Sequence, residues 1–140
     1  MENIRFFTED IPFQIKQKKR IKKWIDSVVK QNKKQTKSIN YIFASDRFVL
    51  DINQKYLNHN TFTDIITFNN SSDKDIIEAD LFISVERVRE NAHNLNTQFI
   101  EELHRVMIHG ILHLVGYDDK TDEEKTEMRK KENHYLALRF

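Results

Sequence analysis

A chain of 140 residues fits the size of one domain and can bury a core without staples. It has no cysteine, which excludes disulfides and thiolate ligands, so any transition metal must be held by His, Asp or Glu. The net charge of +1 conceals an asymmetry: Lys16 to Lys37 holds ten Lys or Arg against one acid, Asp26, and the remainder is acidic. Such a block either meets a polyanion, nucleic acid foremost, or is the solvated face of a helix. No apolar run approaches the roughly 18 residues of a membrane span. Met1 to Asp10 is mixed and polar, without a signal-peptide core, and the expected location is the cytoplasm.

In chain order, Asn3 to Phe7 reads as a strand and Pro12, the one proline, as a loop or helix entry. Ile21, Trp24, Ile25 and Val28 fall at i, i+3, i+4 and i+7, which predicts a helix over 18–31 with a Lys/Arg-rich outer face. Asn32 to Ser38 reads as a polar connection and Ile39 to Ala44 as a strand. Ser45 or Asp46 can cap a helix to about Leu57, with Phe48, Val49, Ile52 and Tyr56 on one face. Asn58 to Thr61 is a loop, Asp64 to Phe68 a strand, Asn69 to Asp75 a turn and Ala79 to Ser84 a fourth strand. Val85 to Asn94 is helical. Asn96 or Thr97 caps a longer helix with Glu101 and Glu102 in its first turns, where the helix dipole favours acids. Thr121 and Glu124 form a capping box for a last helix to about Leu138. The pattern implies an α/β (α+β) fold over residues 1–140, with four strands and about five helices. The strand order is not set by it.

Both glycines of the chain lie in His109-Gly-Ile-Leu-His113-Leu-Val-Gly116. His109 and His113, four residues apart, share a helix face and can hold one metal ion. Gly116 stops the helix, so the acidic turn that follows can face back toward the rings. Asp119 is the first choice for a third ligand and Asp118 the alternative. Two imidazoles and a carboxylate suit zinc, one per chain, with an open fourth position for a water whose pKa falls toward about 7. A carboxylate ligand leaves the site less positive than a third imidazole would, which weakens that acidification. His109 and His113 would then be catalytic through the metal. The spacing names no general base. A zinc peptidase of the His-Glu-x-x-His kind is disfavoured, because Gly110 stands where its Glu would be.

His109 to Asp119 resembles the signature His-Gly-x-Leu-His-Leu-x-Gly-Tyr-Asp-His of the YbeY family of bacterial endoribonucleases, which act in rRNA maturation. Thr63 to Phe68 is similar to the family's Thr-Asp/Asn-Val-Leu-Ser-Phe strand, and Ala79 to Ser84 to its Gly-Asp-Ile-x-Ile-Ser strand. Asn53 and Tyr56 match an upstream Asn-x-x-Tyr. The resemblance spans about Ile39 to Glu132 and implies a zincin-like fold. It also implies one zinc on His109, His113 and the residue at 119, single-stranded RNA or an rRNA precursor as substrate, and the ribosome or its proteins as partners. Two positions depart from the family: Asp119 replaces its third His, and Leu57 replaces an Arg that follows the Tyr. If that Arg handles phosphate, another cation must serve, with Arg105 and Lys55 the candidates on spacing. His59 lies in a loop that could reach the cleft, while His93, His104 and His134 fit no ligand spacing with the pair. Asp64, Asp80 or Ser84 could support a ligand His from behind. The expected activity is a zinc-dependent, single-strand-specific endoribonuclease acting at the 3′ end of 16S rRNA and in ribosome quality control. The rival is a non-catalytic ribosome-associated factor with a structural zinc.

Overall fold

The computed structural model describes residues 2–140. Its strands are β1 (Ile4–Thr8), β2 (Gln35–Ala44), β3 (Ile65–Asn69) and β4 (Ile76–Ser84). Its helices are α1 (Lys18–Gln31), α2 (Asp46–Leu57), α3 (Val85–Asn94), α4 (Phe99–Leu114) and α5 (Asp122–Ala137). The strands form one mixed sheet in the order β1-β2-β4-β3, parallel at the first two contacts and antiparallel between β3 and β4. This is the four-stranded, five-helix α+β architecture that the hydrophobic periodicity implies. None of these helices is long and apolar enough to cross a membrane.

Alternation along the strands sets the layers. Ile39, Tyr41 and Phe43 of β2 and Ile77, Ala79, Leu81 and Ile83 of β4 point to one face, where they pack with Ile21, Ile25, Leu103, Met107 and Ile111 from α1 and α4. The Tyr41 hydroxyl, fully buried, donates to the Met107 carbonyl at 3.0 Å, which satisfies the one polar atom that ring brings into the core. A smaller cluster on the other face joins Val49 of α2 to Ala44 and Ile66, with Phe48, Phe68 and Phe82 around it. α5 closes over α4 and α1: Met128, Tyr135 and Leu136 enter the main core, and the Trp24 indole donates to the Tyr135 carbonyl at 2.9 Å.

Capping follows the sequence at two helices and departs from it at one. Ser45 caps α2, accepting from the Phe48 amide at 3.0 Å. Thr121 and Glu124 make both bonds of the capping box, at 3.0 and 3.1 Å. The long helix begins instead at Phe99, behind Gln98, with no side-chain cap. Asn96 takes the left-handed conformation, φ 55°, which Asn tolerates well, and the Thr97 amide is spent on the Ala92 carbonyl at 2.9 Å. Both residues therefore end α3 rather than begin α4. β2 and β4 also start earlier than expected, at Gln35 and Ile76, and pair with each other there across a register shift at Thr36/Ser38. On β2 that end, Gln35 to Ser38, is polar and shows no alternation of apolar side chains, whereas β4 opens with Ile76 and buried Ile77.

Candidate metal centre

α4 carries the two imidazoles against the edge of the sheet. Gly110 lets it come that close: a Cβ there would lie 2.5 Å from Leu81 Cδ2 and 2.9 Å from Ile65 Cδ1. The glycine after His109 is thus a packing requirement as well as the lack of a peptidase base. α4 ends in a Schellman motif, with the Tyr117 amide bonded to the Leu112 carbonyl at 2.9 Å and the Gly116 amide to that of His113 at 3.1 Å. Gly116 sits at φ +115°, a conformation side chains rarely adopt, and so reverses the chain. The reversal returns Asp119 to the helix face it has just left.

Three atoms converge there. His109 Nε2 and His113 Nε2 are 3.0 Å apart, and Asp119 Oδ2 lies 3.3 and 3.4 Å from them. Ligand atoms that share one tetrahedral ion at about 2.0–2.1 Å are about 3.3–3.4 Å apart, so the donor set fits a single zinc-sized ion. Asp118 is exposed and lies outside the group. All three side chains are partly open to solvent, which leaves an approach for a further ligand.

His109 is held from behind. Its Nδ1 lies 2.7 Å from Glu132 Oε2, and Glu132 Oε1 accepts from Arg105 Nη1 at 2.9 Å. Nδ1 donates to the carboxylate, which turns the Nε2 lone pair toward His113 and Asp119. Burial disfavours the charged imidazole, but the Glu132 hydrogen bond and the charges of Glu132, Asp119 and Asp64 outweigh it and hold His109 above its ordinary value. Burial likewise pushes Glu132 up, and the bonds from His109 and Arg105 bring it below the usual carboxylate range. Asp64, just before β3, is raised by burial, partly offset by His109. Glu102, one helical turn before Arg105, is raised by burial and by Asp64.

Asn53, Leu57, His59, Thr61, Thr63, Asp64 and the edge strand β3 wall the cleft in front of the three ligand atoms. Asn53 is buried and ties the α2–β3 loop through Nδ2 to the Thr61 carbonyl at 2.8 Å. His59 does reach this cleft. Arg105 and Lys55 do not. Arg105 is committed to Glu132 behind His109, and exposed Lys55 lies over its neighbour Tyr56, 5.3 Å from the ring centroid. Among the described residues no Lys or Arg lines the cleft. Asp80 and Ser84 are also elsewhere: Asp80 accepts from Asn40 and Asn70, and Ser84 caps α3 and donates to Asp46. The carboxylate behind His109 is instead Glu132. Its signal in the sequence was weak, a lone Glu in a helix rich in charge, buried only because α5 turns that face onto α4. His93 and His134 are exposed on α3 and α5, and His104 is buried beside Trp24, so none joins the site.

The family model described as Endoribonuclease YbeY matches residues 3–138. A relative from Cytophaga hutchinsonii, named Endoribonuclease YbeY, is 47% identical over 138 residues, covering 99% of this chain and 96% of its own. One of the same name from Amoebophilus asiaticus is 48% identical over 134 residues, 96% of this chain and 91% of its own. The solution structure of TM1509 from Thermotoga maritima superposes with a TM-score of 0.67 at 31% identity, covering 95% of this chain and 86% of that one. With near-complete coverage and close to half of the residues identical, the chain belongs to the YbeY endoribonuclease family.

Proposed function

We propose that the chain is a zinc-dependent endoribonuclease that cuts single-stranded RNA, with residues 1–140 as one catalytic domain and one zinc per chain. The observation that carries this reading is the convergence of His109 Nε2, His113 Nε2 and Asp119 Oδ2 at single-ion spacing in an open cleft of a YbeY family member. When bound, zinc supplies a Lewis acid for a phosphate oxygen and an acidified water. The chain's own residues do the rest. Glu132 fixes the His109 ring through Nδ1, and Arg105 fixes Glu132. Asn53 holds the loop that carries His59 and Thr61 to the cleft, where they and Thr63 offer hydrogen bonds to an unpaired RNA strand. The substrate in the cell is an rRNA precursor, with cleavage at the 3′ end of 16S rRNA and a part in ribosome quality control. The ribosome or its proteins are the partners, and the cytoplasm is the place.

Among the described residues the cleft has no Lys or Arg, which favours one rival, a ribosome-associated factor whose zinc pins the α4 terminus and cuts nothing. The two readings part on activity. The nuclease reading expects metal-dependent cleavage of a single-stranded RNA, lost on chelation and restored by zinc, with His113→Ala holding well below one zinc per chain. Full zinc retention by His113→Ala removes the proposed ligand set. A zinc-loaded protein that leaves both free RNA and ribosomal precursors intact supports the rival.

A further inference from the structure

We propose that the outer face of α1 is a second RNA contact, separate from the cleft, which binds the phosphate backbone while the metal centre holds the strand to be cut. The inference rests on the ribonuclease reading, and it answers a problem the cleft poses. A polyanionic substrate needs cations, and among the described residues the cleft walls offer no Lys or Arg. The cations are gathered elsewhere.

Of the ten between Lys16 and Lys37, Lys30, Lys34 and Lys37 are paired, with Asp26, Asp75 and Glu78. Lys16, Lys18, Lys19, Arg20, Lys22, Lys23 and Lys33 form no ion pair among the described residues, and all but half-buried Lys22 are exposed. Local stability does not account for them. α1 has no acid in its first turn and no side-chain cap, so Lys18, Lys19 and Arg20 oppose the helix dipole. Lys18 and Lys22, like Lys19 and Lys23, are like charges at i, i+4, a repulsive spacing. A bound polyanion relieves both conflicts.

The face suits nucleic acid rather than lipid. The apolar stripe of α1, Ile21, Trp24, Ile25, Val28 and Val29, is spent in the core, so the helix has no apolar face of its own to lay into a bilayer. Beside the basic face runs a groove of about 670 Å³ lined by Arg20, Lys23, Ser27 and Gln31 and by the exposed Leu138 and Phe140, with the Arg20 guanidinium 5.9 Å from the Phe140 ring centroid. Cations beside an exposed ring and hydrogen-bonding side chains are what an unpaired base and its phosphates take. The face also lies apart from the cleft. α1 packs on β2 and sets Lys22 over Phe6 of β1, whereas the cleft follows β3 at the opposite edge. β1 and β3 are three strand spacings apart, about 14 Å. The Debye length is about 8 Å at physiological salt, so over that separation these charges are largely screened from a phosphate in the cleft.

The test is equilibrium binding of a fluorescent single-stranded RNA of about 30 nucleotides across a salt series, its integrity checked on a gel. The variants are the triple substitution Lys16→Gln, Lys19→Gln, Lys23→Gln, which keeps helix propensity, and His113→Ala. At about 0.7 per phosphate contact, the triple variant should flatten the log–log salt slope by about 2 and weaken binding roughly tenfold or more at physiological salt. With both proteins held zinc-free by a chelator, His113→Ala should keep the parent's slope, because among the described residues the cleft walls contribute no Lys or Arg. A triple variant with the parent's slope, with circular dichroism showing it folded, overturns the proposal. So does a His113→Ala slope lowered as far as the triple variant's, which would merge the two sites. Binding to phosphatidylglycerol vesicles that the same three substitutions abolish, with RNA binding unaffected, would assign the face to lipid instead. Binding is read rather than cleavage, so a protein that shows the slope change but cuts nothing fails the catalytic reading and sustains this one.

Discussion

Glu132→Gln separates a positioning carboxylate from an ordinary ion pair. Glu132 is 5% exposed and each of its oxygens accepts from a different donor, His109 Nδ1 at 2.7 Å and Arg105 Nη1 at 2.9 Å. Glutamine has one acceptor oxygen. Whichever way the amide turns, its NH2 group meets one of those two donors, so one charge-assisted bond is lost. Such a bond contributes about 1.5–3 kcal/mol, and the metal-free protein should lose stability of that order. The metal should feel it as well. A released His109 can flip or change tautomer, and loss of a supporting partner of this kind typically weakens metal affinity about 10–100-fold. The assay is zinc affinity by competition with a chromophoric chelator, beside thermal unfolding with and without zinc and nitrogen NMR of the His109 tautomer. Zinc affinity within about twofold of the parent, with the Nδ1–H tautomer retained, would refute the reasoning and leave Glu132 as packing.

Gly110→Ala should cost up to about 2 kcal/mol of stability, because its Cβ would meet the side-chain tips of Leu81 and Ile65 at under 3.0 Å while the helix regains about 1 kcal/mol of propensity, and thermal unfolding measures the balance. Asp119→His should retain zinc in a metal-content measurement, since the family signature carries His at that position; loss of zinc would argue against Asp119 as a ligand. His104 is pushed down to about 4 by burial and by the Arg139 guanidinium, so it is neutral in the folded protein at pH 7. A histidine depressed on folding contributes stability that is full above its unfolded value of about 6.5 and is lost as pH falls toward about 4. Unfolding temperature should therefore drop through that window, and His104→Asn, which can still accept from Arg139, should drop less steeply. Equal slopes would place the acid sensitivity elsewhere.

The sequence is legible where backbone and side chain carry the same signal. Ser45 and Thr121 are caps by chemistry and by position, and the buried stripes of α1 and α4 repeat at helical spacing. His109, His113 and Asp119 were legible because the first two share a helix face and Gly116 dictates the turn that returns the third. What was illegible depends on distant contacts. Glu132 is 23 residues from His109 along the chain, and only the packing of α5 on α4 brings them together. Arg105 shares the ligands' helix, one turn before His109, yet the same carboxylate draws it behind the site and out of the cleft. The polar first residues of β2 pair through the backbone, which no side-chain pattern reports.

If the three converging ligand atoms hold the metal that cuts RNA, removing one of them must abolish cleavage. The most direct test is incubation of a single-stranded RNA with zinc-loaded protein beside a His109→Ala protein purified by the same route, which controls for contaminating ribonuclease. Chemistry at the metal centre requires cleavage by the parent and none by His109→Ala. Equal cleavage by both would contradict it and assign the activity to a contaminant.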